Sequence, residues 1–318
     1  MNTRKNNKAV TGILIVVFLS FVLLMIFASY TMKSLNGGID SFSTKGPSQG
    51  KSVAVVEVNG VIMDSKATIE LIHEAERDKE TKVIFIRINS PGGAVGPTQE
   101  IYQEIRRIDD LYENSKGEEG KPVYASFGTI AASGGYYLGA ATRKIWTNPG
   151  TITGSIGVIM QFMDLSKLYK FAMLNPETIK SGRYKDIGQP NRAITDEEQE
   201  LLEGMISGVH EQFIRDIVLT RKKKIKGDIK EIAQGQIYSG EQAYKLGLVD
   251  ELGSLWQGAK AVHDELKIKE KFGLKFIEKK KKSGVWNLLE NLEEVSTTLK
   301  LLINKMDTQV AAPTLMFK

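Results

Sequence analysis

Three short segments of this chain hold residue types that could do chemistry together: Ser90-Pro91-Gly92-Gly93, Ala131-Ala132-Ser133-Gly134-Gly135-Tyr136-Tyr137 and Lys180-Ser181-Gly182-Arg183-Tyr184-Lys185-Asp186. Singly, each has an ordinary explanation. A Pro-Gly-Gly run makes a tight turn, a serine among small residues caps or packs a helix, and a lysine in a Gly-containing loop is solvated. Together they supply the parts of acyl transfer. A serine hydroxyl that attacks a carbonyl needs a base to take its proton and donors to hold the oxyanion that forms. Ser133, at the start of a helix, can present its oxygen while the next amide, that of Gly134, points to the same place. The helix dipole there favours developing negative charge. The Gly92-Gly93 turn exposes amides with no side chain in the way and can supply the second donor, while the small neighbours let a peptide backbone come close.

The base is the open question at this level. A Ser-His-Asp arrangement would have to use His73, His210 or His263, the only histidines in the chain. Each reads as a helix position removed from the glycine-rich turns. Lysine can replace histidine if it is held neutral. A free lysine titrates near 10.4, so only about one in a few thousand is unprotonated at pH 7. Bringing it to about 7–8 needs burial, roughly 4 kcal/mol of differential stabilisation. His210-Glu211-Gln212-Phe213-Ile214 lacks the second histidine of a zinc-protease helix. The absence of cysteine excludes disulfides, thiolate nucleophiles and cysteine-held zinc.

The elements that must position these residues follow from the hydrophobic pattern. Runs of β-branched residues at 53–58, 83–88, 123–126 and 144–147 read as strands, and 65–79, 97–112 and 131–141 read as helices between them. That alternation predicts an α/β fold with a largely parallel sheet. Glycine-rich turns directly after strands place the reactive loops at one edge, where such sheets hold ligands. Beyond Thr195 the pattern is mostly helical: 196–220 opens on a Thr195-x-x-Glu198 capping box, with shorter helices over 238–246 and 254–266 and a strand near 274–277.

The ends differ in character. Residues 9–32 hold no charged side chain, follow Arg4, Lys5 and Lys8, and are long enough to cross a bilayer as an uncleaved anchor; a cleaved signal peptide is the rival reading, against which stand the length of the run and the lack of a clear A-x-A site. The positive-inside rule puts residues 1–8 in the cytoplasm and the rest outside it. Residues 33–51 read as a flexible linker. Within 271–318, the apolar spacing of Val285, Leu288, Leu289, Leu292, Val295, Leu299, Leu302 and Met306 predicts an amphipathic helix ahead of a short tail. The net charge of +5 over 318 residues is mild, and no basic stretch interleaved with aromatics points to nucleic acid.

The three segments, with AASGGYYLGAA at 131–141, TITGSIGVI at 151–159 and KSGRYKDIG at 180–188, resemble the signal peptide peptidase A family of Ser/Lys peptidases. That family lies in the Clp-protease/crotonase superfamily, and the similarity runs over about 53–252. The resemblance implies a Clp-protease/crotonase-like domain over 52–270 preceded by one transmembrane helix. It implies Ser133 as nucleophile, Lys185 as general base, Gly93 and Gly134 as oxyanion donors, and Ser155 as the residue that positions the lysine. It implies no cofactor and no metal. Substrates would be remnant signal peptides and other extracytoplasmic peptides, met at the outer side of a bacterial cytoplasmic membrane. Subunits would assemble into a homo-oligomeric ring, expected to be an octamer, with each site shared between neighbours. Two other readings remain to be weighed. One is a crotonase-like acyl-CoA enzyme, which would bind coenzyme A; the other is a non-catalytic membrane scaffold built on the C-terminal helix.

Overall fold

A computed structural model describes residues 50–278. The expected anchor at 9–32, most of the linker and the helix over 285–306 lie outside the described residues. Among the described residues no helix is long and apolar enough to cross a membrane.

Strands β1 (Val53–Asn59), β2 (Val83–Ser90) and β3 (Val123–Ala132) form the middle of the sheet. The order along it is β6-β5-β3-β2-β1-β8, with β5 (Ile152–Gly154), β6 (Ile237–Ser239) and β8 (Leu274–Phe276) completing the row. Short strands β4 (Ile145–Thr147) and β7 (Glu251–Leu252) extend from the other end of β3. All pairings are parallel except β5 with β6. The expected α/β class with a mostly parallel sheet is therefore present, and it fits a Clp-protease-like fold.

Both faces of the sheet are covered, which explains why the central strands are nearly continuous in apolar residues. Alternate residues divide between the faces. Ala54, Val56, Val58, Ile84, Ile86 and Ile88 enter one core, and Val53, Val55, Val83 and Phe85 enter the other. The first core takes α1 (Lys66–Arg77) through Ile72 and α2 (Val95–Asn114) through Ile101, Ile105 and Ile108. It also takes α3 (Gly134–Ala140) through Tyr136 and Leu138, and α5 (Asp196–Arg221) through Phe213 and Ile217. The second is closed by α8 (Leu255–Glu265) through Leu255, Ala259 and Val262. Short helices α4 (Ser166–Phe171), α6 (Ile229–Ile232) and α7 (Gly240–Lys245) fill the connections.

Two boundaries differ from the sequence reading. Ala131 and Ala132 end β3 instead of opening a helix, because Ile130, Ala131 and Ala132 pair with Ile152, Thr153 and Gly154 of β5. Tertiary pairing here overrides the helical preference of alanine. Tyr238 likewise belongs to β6, and the helix predicted over 238–246 starts only at Gly240, where Ser239 and Gln242 form a capping box.

Candidate active site

The site is built where β2 and β3 end. Their register breaks between Ile88, opposite Phe127, and Ser90, opposite Ala131. The extra residues of β3 bulge, and the Asn89 carboxamide oxygen accepts from the Thr129 and Ile130 amides at 3.2 and 3.3 Å. A bulge bends the strand that carries it. Here it brings the end of β3 alongside the Pro91–Gly93 turn.

The glycines make that approach possible. A Cβ on Gly92 would stand 2.7 Å from the Gly134 nitrogen and 2.9 Å from the Ser133 Cβ, and Gly92 has φ +100°. A Cβ on Gly135 would stand 2.5 Å from the Ser90 carbonyl oxygen. Gly92 therefore meets Gly134, and Ser90 meets Gly135, at backbone contact, while Gly93 packs on the Ile62 backbone. The buried Ser90 hydroxyl braces the turn by accepting from the Gly92 amide at 3.1 Å.

Ser133 lies between β3 and α3 at φ +52° and ψ −120°, a conformation that L-residues adopt at a cost of about 1–3 kcal/mol. Its amide donates to the Gly154 carbonyl at 2.8 Å and its carbonyl accepts from the Tyr137 amide at 2.9 Å, so the neighbours impose the strain. Its side chain makes no capping hydrogen bond. Gly134, as the first residue of α3, has no helical carbonyl to receive its N–H. Gly93 is flanked by Ile62 N–H donating to the Gly92 carbonyl at 2.9 Å and Ala94 N–H donating to the Ile62 carbonyl at 2.7 Å. That pattern turns its own N–H to the opposite side of the segment. Ser155, like Ser133, has a positive φ, at +51°.

Ser133 lines two adjoining cavities. The smaller, about 120 Å³, is walled by Val95, Thr98, Tyr137, Val158, Val209 and Phe213, with Gly93 and Gly134 at its mouth. A cavity of about 150 Å³ lined by apolar groups takes a benzene ring, so this one suits an aliphatic side chain. At its wall the Tyr137 hydroxyl donates to the Asp216 carboxylate; burial and that carboxylate push the phenol above its ordinary range and keep it neutral. The larger cavity, about 600 Å³, is lined by Val61, Pro91, Gly92, Ser155, His210 and Gln234 among others, again with Gly93 and Ser133.

Four of the residues singled out in sequence thus converge: Gly93, Ser133, Gly134 and Ser155. Lys185 does not join them within one chain. It lies on an exposed turn and lines neither cavity. Of the histidines, His73 contacts Glu104 at 2.7 Å and His263 contacts the Glu270 carbonyl at 2.8 Å. His210 corrects the sequence reading. It lies on α5, which passes over the site, so it lines the larger cavity, and its Nε2 is buried without a hydrogen-bond partner. Its sequence signal was only that of a helical position; the placement comes from the packing of Phe213 and Ile217 beneath the helix. One described group, His73, Glu76 and Glu104, could offer three donors to a cation, but Arg107 already bridges both carboxylates and none of the three lines the Ser133 cavities.

Residues 115–269 match the family described as Peptidase family S49. A protein of Synechocystis sp. that carries the name of a protease is 38% identical over 206 residues, covering 64% of this chain and 70% of that protein. An Enterococcus faecium protein that carries the name signal peptide peptidase SppA is 32% identical over 216 residues, covering 64% of this chain and 60% of that one. The Arabidopsis thaliana protein named serine protease SPPA, chloroplastic, is 33% identical over 224 residues, 70% of this chain but only 32% of its own length.

Proposed function

We propose that this chain, which belongs to peptidase family S49, is a membrane-anchored serine endopeptidase that uses Ser133 and Lys185. The observation that carries the reading is Ser133 itself, held in a strained turn between two cavities with the Gly93 and Gly134 amides beside it. Neutral Lys185 takes the Ser133 proton as the hydroxyl oxygen attacks a peptide carbonyl. The oxyanion settles between the Gly93 and Gly134 N–H groups. The lysine then protonates the departing amine, and water hydrolyses the acyl-serine by the reverse proton path. Ser155 accepts or donates a hydrogen bond that aims the lysine amine. The cavity of about 120 Å³ receives the side chain before the cleaved bond.

The exposure of Lys185 supports a site completed by a second copy. The arm that carries it, 159–192, also exposes Ile159, Met163, Phe171, Met173 and Ile179, all five by more than two thirds. A patch of that kind marks a surface meant for covering. Association in a ring would bury the arm and desolvate the lysine in one step, which is what a lysine base requires. Residues 9–32 would anchor the chain in the bacterial cytoplasmic membrane with this domain outside, where remnant signal peptides are met.

A serine-directed fluorophosphonate probe should label the wild type and leave Ser133→Ala unlabelled; equal labelling of both would overturn the nucleophile. Mixing inactive Ser133→Ala with inactive Lys185→Ala subunits should restore turnover if sites are shared, and should restore none if they are not. His210 gives a second reading, a Ser/His pair within one chain. It wins if His210→Ala abolishes turnover while Lys185→Ala does not.

A further inference from the structure

Lys185 lies in a segment with few apolar contacts to hold it. Ser181 through Lys185 are all exposed. Two successive turns set its backbone, with Lys185 N–H donating to the Gly182 carbonyl at 3.3 Å and Ile187 N–H donating to the Tyr184 carbonyl at 3.1 Å. The next residue is different in kind: Asp186 is buried, at 8% exposure.

The Asp186 carboxylate receives Arg192 in a fork, Nε at 3.0 Å and Nη2 at 2.9 Å, and also receives the Lys180 amine. The far side of the same guanidinium forks onto Glu198, Nη1 at 2.7 Å and Nη2 at 2.6 Å. The remaining Nη1 donor reaches the Ala193 carbonyl at 3.0 Å, so all five guanidinium donors are used. Glu198 is also buried, and it completes the capping box of α5 by accepting from the Thr195 amide at 3.0 Å. Beside this turn, the Arg183 guanidinium and the neutral Tyr184 hydroxyl both donate to Glu197 on the same first turn of α5. From there α5 runs to Phe213 and Ile217, which pack in the core that also holds α3. A continuous path of forked ion pairs and packed helix thus leads from the residue after Lys185 to the helix that starts beside Ser133.

We propose that Asp186, Arg192 and Glu198 are positioning residues whose double fork fixes the turn from which Lys185 reaches a neighbouring Ser133. This rests on the reading of Lys185 as the base. Planar, bidentate pairs define orientation as well as distance. They are suited to holding a turn that the hydrophobic core does not hold. A lysine that must arrive in a partner's cavity from an exposed turn needs its origin fixed in this way, since an error of about 1 Å can cost on the order of 10²-fold in rate.

The test compares Arg192→Ala, Arg192→Lys, Glu198→Gln and Lys185→Ala in the full-length, assembled enzyme on a peptide substrate. Arg192→Ala should lower kcat about 10²-fold with KM changed less than about twofold. Its thermal transition and assembly size should be retained. Its low-pH limb should move up by about one unit or more, so that part of the activity returns at pH 9–10. Desolvation is what favours a neutral amine, and a turn that no longer aims the side chain does not supply it. Arg192→Lys keeps the charge and loses the fork, and should fall between. Glu198→Gln keeps shape and stands in should Arg192→Ala fail to fold; it should show the same shift to a smaller degree. If Lys185→Ala is inactive but Arg192→Ala and Glu198→Gln keep wild-type kcat and pH profile, the positioning role is wrong and the base assignment stands. A uniform loss across pH that follows the folded fraction also overturns it, as a purely structural effect. If Lys185→Ala keeps wild-type turnover, the base assignment fails and the positioning role fails with it.

Discussion

The Ser133 edge and the arm that carries Lys185 are held by opposite kinds of force. Around Ser133, order comes from backbone packed on backbone: Gly92 against Gly134, Gly135 against Ser90, a bulge closed by Asn89. Around Lys185, order comes from forked ion pairs to two buried carboxylates beneath an exposed turn. The first arrangement tolerates a strained serine, because neighbours hold both its amide and its carbonyl. The second leaves a surface that a second copy can cover. On the proposed roles, a nucleophile with its oxyanion donors needs sub-ångström precision within one chain, whereas a base supplied on an arm has to be aimed.

The largest effects should come from removing the reacting groups. Ser133→Ala and Lys185→Ala should each lower turnover by about 10⁴-fold or more, the size seen when a nucleophile or its base is lost. Rates of peptide cleavage by the assembled enzyme check this, with circular dichroism confirming the fold. A Lys185→Ala rate within tenfold of wild type would break the comparison at its root.

Two glycines with similar backbone angles sharpen it. Gly92 at φ +100° meets the Gly134 nitrogen at 2.7 Å from a notional Cβ, and Gly182 at φ +93° meets nothing within 4 Å. Gly92→Ala must displace backbone as well as strain it and should cost about 3 kcal/mol or more, with turnover down on the order of 10²-fold. Gly182→Ala pays only the left-handed backbone penalty of about 1–2 kcal/mol. Urea unfolding of both variants reads the difference; equal losses would mean that the two turns are held alike.

How much of this was legible in the sequence follows the same division. The strands, the glycine turns and the capping box at Thr195 were readable because each has a local cause: β-branched runs, close backbone approach, and a Thr-x-x-Glu pattern. The last residues of β3 were not, because Ala131 and Ala132 favour a helix and only pairing with β5 makes them strand. His210 was hidden for a related reason, since a helix pattern does not say what the helix crosses. The Asp186–Arg192–Glu198 path was hidden too. Its two six-residue spacings run through turns and irregular backbone over 186–195, where no helical or strand periodicity applies, so the fork exists only once the turn has folded back on α5.

The scaffold beneath β3 gives a response to base. Lys121 is buried with its amine donating to the Ala75 carbonyl at 2.7 Å and to the Thr81 hydroxyl at 2.9 Å. Burial lowers its pKa to about 8. Between about 8 and the unfolded value near 10.4, the unfolded chain binds the extra proton, so stability rises with pH across that window. The gain is bounded by about 3 kcal/mol. Urea midpoints at pH 7.5 and 9.5 measure it, and Lys121→Met should flatten the dependence.

The arm should respond to acid instead, and more weakly. The Arg192 fork and the Lys180 amine hold Asp186 well below the usual carboxylate range, and the fork with the Thr195 amide brings Glu198 to about 2. Both folded values lie below the unfolded ones, so this contribution is fully present above about pH 4.3, where unfolded carboxylates are ionised. It is lost as pH falls through the folded values, toward 2 for Glu198. The carboxylates are buried but the Arg192 side chain that joins them is 31% exposed, so salt reaches the pairs in part and the sensitive measurement is local. Pepsin, working between pH 2 and 4, should cut within 159–192 increasingly as pH falls, and 0.5 M salt should bring that cutting to higher pH. The far-UV signal of the sheet should remain largely unchanged over the same range, because buried apolar residues hold its strands and carboxylates meet only the first amides of β3 and β4, Asp109 at Val123 and Asp250 at Ile145. Cutting that tracks loss of the sheet signal would mean that arm and sheet unfold as one unit, and that the ion pairs add nothing of their own.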